Sequence, residues 1–193
     1  MPDTLKPFDQ ILEADSIWQA FVLRNRETGK TRKITLRDRY SAVETITLSS
    51  AVPESIRGHF DVARNLLLYS WFEYHFMPVA EMHAFSSVEY ALRIKSGKPM
   101  MMLRQGLELA IKENWIKDSG FRHYSVRQEE FDGDEPATKN PDVDDVHAYC
   151  KILLDSLPYL RNTLAHGNTM IHPGGHRTVA ICADLINQLF QSS

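Results

Sequence analysis

Residues 53–97 read PESIRGHFDVARNLLLYSWFEYHFMPVAEMHAFSSVEYALRIKSG. Apolar residues recur at Ile56, Phe60, Ala63, Leu67, Trp71, Tyr74 and Met77. Intervals of three and four match one face of an α-helix, so a helix is predicted to start at Pro53-Glu54-Ser55. Pro78 has no backbone N–H to donate and predicts a kink or a restart. The pattern then resumes through Met82, Phe85, Val88, Ala91 and Leu92. Ser96-Gly97 predicts its stop, glycine being the commonest residue just past a helix end.

Towards the C-terminus, Lys98-Pro99 predicts another helix opening, carried by Met102, Leu103, Leu107, Leu109, Ala110, Ile111 and Trp115. Residues 119–142 lack a periodic apolar face, contain Gly120, Gly133, Pro136 and Pro141, and carry the acids Asp132, Asp134, Glu135 and Asp142. They predict a long, mobile acidic loop. A further helix is predicted from about Asp142-Val143 through Val146, Tyr149, Cys150, Leu153 and Leu154, with a kink or a new first turn at Pro158. After the turn Pro173-Gly174-Gly175, a last helix follows with Val179, Ile181, Cys182, Leu185, Ile186, Leu189 and Phe190. Five helical segments with mostly short connections predict an all-α bundle over residues 53–193. Residues 1–52 read differently. Ile17–Leu23 and Lys33–Leu36 are β-prone and flank a polar stretch containing Gly29, which predicts a small N-terminal β-hairpin or an irregular arm. A two-stranded hairpin is marginal alone, so the arm must pack on the body or on a partner.

The net charge of −3 argues against a protein that coats nucleic acid by bulk electrostatics, but leaves room for a local basic site. Cys150 and Cys182 are the two cysteines and form no CxxC pair, so neither a disulfide framework nor a zinc knuckle is indicated. Both sit in apolar helical contexts and read as buried free thiols. Met1-Pro2-Asp3-Thr4 has neither a basic region nor an apolar one, and no stretch approaches a membrane span. A cytoplasmic protein without membrane contact is expected.

Polar residues that packing does not explain collect at Arg161-Asn162-Thr163-Leu164-Ala165-His166-Gly167. Leu160, Leu164 and Ala165 are read as the inward face. Asn162 and His166 are four apart and share a face of the helix. Arg161 lies off that face, with a stem long enough to bring its guanidinium alongside the imidazole. Gly167 suits the position after a helix end, which places His166 where the helix dipole favours a cation. Arginine, amide and imidazole together make a donor cluster fit for phosphate, which arginine binds in bidentate fashion. Histidine adds proton transfer near neutral pH.

Arg161-Asn162-x-x-x-His166 resembles the R-x4-6-H motif of the HEPN domain family, helical domains named from higher eukaryotes and prokaryotes nucleotide-binding. The polar residue after the arginine, the flanking Leu164-Ala165 and Gly167, and the late position in a bundle all suit that family. Ser87–Arg93 is similar to one of its earlier core helices. The resemblance covers about residues 53–193 and does not extend to the arm. It implies a HEPN-like fold and, in catalytic members, metal-independent endoribonuclease activity without cofactors. Two protomers then bring their motifs together, and the RNA 2′-OH attacks the adjacent phosphate. His166 would assist proton transfer, Arg161 would stabilise transition-state charge, and Asn162 would orient a group. Toxin or antiphage systems, with an antitoxin as partner, are implied by the same resemblance. Other members bind nucleotide or RNA, or serve within complexes, without cleavage, and that alternative stays open.

Glu89 is the fourth candidate. Set among apolar neighbours, it needs a partner if buried, and Arg161 is the obvious one. Arg161 with Glu89 or Asp155 as a purely structural ion pair is the competing reading. A di-iron centre needs Glu-x-x-His on two helices, whereas Glu73-x-His75 and Glu81-x-His83 point each pair to opposite sides, so no metal is expected. His172 and His176 flank a turn and read as solvated. Tyr69, Trp71, Phe72, Tyr74 and Phe76 exceed one helix face and read first as core, then as a dimer interface. P-loop, GxGxxG and GxSxG sequences are missing, which removes support for the chemistries they carry.

Overall fold

A computed structural model describes residues 5–25, 27–122, 145–166 and 175–191. Within them lie a two-stranded hairpin, β1 (Val22–Arg24) and β2 (Thr31–Lys33), and six α-helices. These are α1 (Leu36–Glu44), α2 (Glu54–Tyr69), α3 (Phe76–Ser96), α4 (Leu103–Lys112), α5 (Ala148–Ala165) and α6 (Gly175–Phe190). Short 3-10 turns sit at Phe8–Gln10, Ser16–Ala20 and Asp118–Gly120. The protein is an all-α bundle with a small N-terminal hairpin. Among the described residues, no helix is long and apolar enough to cross a membrane. The expected acidic loop falls almost wholly on residues 123–144, outside the described residues, as do Gly167 and His172.

Helix α3 is the centre, with α2, α4, α5 and α6 packed around it. It buries Met77, Ala80, Ala84, Phe85, Val88, Ala91 and Leu92, and a helix apolar on so many sides must lie inside the bundle. Gly97 ends it in the left-handed conformation, φ +68°, as the sequence predicts. Leu92 then packs on α4 at Gly106, where a Cβ would meet Leu92 Cδ1 at 2.7 Å. Met77 packs on Gly175 at one end, and Lys95 lies over the Phe190 ring at the other, so α3 and α6 run parallel.

Several local expectations shift. Trp71, Tyr74 and Met77 do not continue α2, which ends at Tyr69. The chain turns through 70–75 and restarts, with Pro78 in the first turn of α3 where its missing N–H costs nothing. The apolar phase survives the turn by coincidence. Helix α4 begins at Leu103 rather than at Lys98-Pro99, its start marked by Met102 N–H donating to Gln105 Oε1 (3.2 Å). Pro158 lies inside an uninterrupted α5. Helix α1, capped by a reciprocal Thr35–Asp38 box, is a sixth helix that the apolar pattern does not mark.

The arm packs on the body. Trp18 is buried, stacks on Trp71 and donates Nε1–H to Ser70 O (2.9 Å). Arg39 of α1 lies over the Trp18 ring at 4.4 Å. Its Nη2 donates to Leu67 O (3.3 Å) and Ser70 Oγ (3.4 Å). A cation here covers the carbonyl end of α2, where the helix dipole favours it. The aromatic stripe is thereby divided: Trp71 and Tyr74 pack with Trp18, while Tyr69 and Phe76 remain exposed.

Helices α2 and α3 also share a polar seam. Ser87 Oγ donates to His83 O (2.9 Å), so it accepts from His59 Nδ1 (2.8 Å). His83 Nε2 donates to His59 O (2.9 Å), and the two rings stack with centroids 4.3 Å apart. Burial, and then the neighbouring imidazole of His83, hold the His59 pKa below its ordinary value. The folded state therefore binds this proton less readily than the unfolded chain. Stability is complete above the unfolded histidine pKa of about 6.5 and is lost as pH falls below it. Thermal melts between about pH 7.5 and 5.5 should show Tm decreasing, with a shallower slope in His59→Gln. A slope unchanged by that substitution would exclude His59 as the source.

Candidate functional site

Helix α5 carries the motif, and its start is set from outside. Buried Asp118 accepts Tyr149 N–H at Oδ2 (2.8 Å) and Cys150 N–H at Oδ1 (2.9 Å). The carboxylate thus satisfies two of the donors that a helix start leaves unpaired. Cys150, Leu153 and Leu157 then face the core. Three- and four-residue steps extend this stripe to Arg161 and half-buried Leu164. Arg161 therefore occupies an inward position, while Leu160 and Ala165, read from sequence as inward, are exposed.

An inward arginine needs an acceptor, and α3 provides Glu89. Arg161 Nε lies 3.2 Å from Glu89 Oε1. The carboxylate's other oxygen is 3.3 Å from Arg93 Nη2, and Arg93 Nε donates to Met101 O (2.9 Å). Glu89 is 8% exposed, whereas the Arg161 and Arg93 side chains are 31% and 34% exposed. The acid is inside and both cations reach the surface. Two guanidiniums on one carboxylate leave a positive charge in excess, with N–H donors still available to an anion. Arg161 Nη1 also donates to Asn162 Oδ1 (3.3 Å).

His166 caps the C-terminal end of α5, its N–H bonded to Asn162 O (3.0 Å), and its side chain is exposed. Its Cα lies about 7.5 Å along the helix axis from that of Arg161. Of the sequence-predicted residues, Arg161, Asn162 and Glu89 are joined by contacts, and His166 stands one and a half turns further on. The Arg161 guanidinium turns to Glu89, not to the imidazole. Asp155, the other proposed partner, pairs instead with Arg104 (3.0 Å). Arg93 was not singled out from sequence, although Glu89 and Arg93 have the i,i+4 acid-to-base spacing that marks a helical ion pair.

The remaining candidates separate from this cluster. Glu73 and His75 pair locally on the surface (2.6 Å). His83 belongs to the α2–α3 seam. Among the described residues, no group of three His, Cys, Asp or Glu side chains is placed to hold a metal ion. Cys150 and Cys182 are buried free thiols, and burial pushes both thiol pKa values far up, so neither is a ready nucleophile. No protein-family model, curated protein or solved structure matches this chain.

Removing Glu89 leaves two adjacent guanidiniums without their shared counter-charge. Glu89→Ala should lower unfolding stability by about 1–3 kcal/mol, below the fully buried case because both arginines reach solvent. Urea unfolding measures it. An unchanged midpoint would show that the carboxylate does not hold the arginines in solution.

Proposed function

We propose that this protein is a HEPN-type, metal-independent endoribonuclease whose working residues are Arg161, Asn162 and His166. One observation carries the reading. Arg161 is held at a half-exposed position by Glu89 and Asn162, on the same helix that ends in an exposed imidazole at His166. A preset guanidinium with free donors suits a phosphodiester, and the accessible imidazole suits proton transfer to or from it.

In the proposed reaction the RNA 2′-oxygen attacks the adjacent phosphorus and the bond from phosphorus to the 5′-oxygen breaks. The products are a 2′,3′-cyclic phosphate and a 5′-hydroxyl. The 2′-OH proton leaves to a base and another proton reaches the departing 5′-oxygen. His166 serves one of these transfers. Arg161 stabilises the charge that builds on the phosphoryl oxygens. Asn162 and Glu89 are positioning residues that aim the guanidinium. A second copy, presenting its own Arg161 and His166 across a two-fold axis, supplies the other transfer. A toxin or antiphage role, with an antitoxin as protein partner, belongs to the same proposal.

The Glu89 contact also supports a second reading, in which Arg161 is a fixed anchor and the cluster holds RNA or a nucleotide without cleaving it. One experiment separates the two. Purified protein is incubated with RNA in EDTA, beside His166→Ala and Arg161→Ala. Cleavage by the wild type with cyclic-phosphate ends, reduced about 10²–10⁴-fold in His166→Ala, is the expected outcome. Equal cleavage by all three proteins would point to a contaminant and defeat the proposal. Binding lost in Arg161→Ala, with no cleavage by the wild type, would select the second reading.

A further inference from the structure

Residues 22–39 hold seven arginines and lysines against two acids, a net charge of +5 in a chain whose total is −3. The rest of the chain therefore carries −8. This segregation is a structural feature as well as a compositional one, because the segment folds as the β1–β2 hairpin leading into α1.

The hairpin is built to be rigid. At its tip Asn25 Oδ1 accepts the Glu27 and Thr28 N–H groups (3.0 and 2.8 Å), Asn25 N–H donates to Lys30 O (2.8 Å), and Gly29 takes φ +68°. At its base Trp18 is buried on one side and Arg39 on the other. Asp38 joins ribbon to helix: its carboxylate takes both Arg32 Nη groups (2.7 and 2.6 Å) while also capping α1 through Thr35. The guanidinium of Arg32 and the hydroxyl of Thr35 hold the Asp38 pKa well below the carboxylate range, so this link persists as an ion pair through the neutral range.

That internal use of Asp38 leaves the other cations unneutralised. Arg24, Lys30, Lys33 and Arg37 are exposed, and among the described residues none has a carboxylate partner. The register pairs Val22 with Lys33, so Arg24, two residues on, shares a face of the ribbon with Lys33. Fixed cations this close repel one another, and a polyanion relieves that repulsion. Arg161 meets Glu89 about two-thirds of the way along α3, and the start of α5 lies on Asp118, beside the Lys117–Gln188 contact where α6 ends. Helix α5 therefore runs against α3 in the direction of the α3 start, and Trp18 and Phe21 pack on Tyr74 just before that start, about 20 Å along the helix from Glu89.

We propose that the basic hairpin, with Arg37, is a second RNA contact that grips the phosphate backbone of the strand presented to the motif. The inference rests on the RNA reading of that motif. It assigns sequence-independent affinity to the hairpin and leaves the chemistry to α5.

The test measures anisotropy of a labelled, 2′-O-methylated RNA oligonucleotide, which cannot be cleaved by 2′-OH attack, over a range of salt concentrations. The proteins are the wild type, a hairpin variant (Arg24→Gln, Lys30→Gln, Lys33→Gln, Arg37→Gln) and a control (Lys98→Gln, Lys112→Gln). All substituted positions are exposed, and thermal melts check folding. Loss of four phosphate contacts should weaken binding at least about tenfold and lower the slope of log Kd against log salt by about 2–3. Equal affinity and slope in wild type and hairpin variant, or an equal loss in the control, would overturn the inference. So would wild-type binding to anionic phospholipid vesicles but not to RNA. Cleavage by His166→Ala and Arg161→Ala distinguishes the two proposals. Hairpin-dependent binding with cleavage unaffected by those substitutions removes the catalytic reading and keeps this one. Motif-dependent cleavage with hairpin-independent binding does the reverse.

Discussion

Burying α3 on several sides at once makes every polar group on its inner faces find a partner within the protein, and much of the structure follows from meeting that demand. Ser87 spends its proton on His83 O and accepts from His59, which ties α2 to α3. Glu89 cannot be left as an isolated charge inside the bundle, since desolvating an unpaired carboxylate costs far more than a neutral group. Arg93 from its own helix and Arg161 from α5 meet it. The contact that gives the motif its geometry is thus first a solution to a packing problem.

The site inherits its properties from that solution. The buried side of the cluster is the acid and the exposed side is basic. An anion arriving from solvent meets guanidinium donors without first displacing the carboxylate. Asp118 fixes the start of α5 through two backbone N–H groups, and Glu89 fixes its register near the other end. His166 lies one and a half turns beyond the last such restraint, its N–H bonded to Asn162 O at the helix end. The cluster therefore combines a preset charge with an exposed imidazole.

A different balance operates in the arm. Its hairpin contributes almost nothing to the core, and its stability comes from anchors on either side, Trp18 against Ser70 and Trp71, and Arg39 at the carbonyl end of α2. Those anchors hold a row of like charges that a free peptide would spread apart. The acidic remainder of the molecule makes the row a localised feature, so overall charge conceals it.

Helices whose apolar residues recur at helical spacing were legible in the chain: Ile56 to Leu67, the stretch ending at Gly97, and Val179 to Leu189 all obey a local period. The break at 70–75 was not, because Trp71 and Tyr74 stay in phase while packing against Trp18 of the arm, and Met77 stays in phase while packing on Gly175. Helix α1 was missed for a related reason. It buries Arg39 and Val43, and an arginine does not register as a core position until Trp18 and the end of α2 lie beside it. At the candidate site the run Arg161–His166, its place at a helix end and the need of Glu89 for a cation were all readable, since spacing and residue type are local properties. Which way Arg161 points was settled only by tertiary packing. The stripe Cys150, Leu153, Leu157 faces the core, and a long-range contact with a buried carboxylate outweighs the local preference of a charged side chain for water.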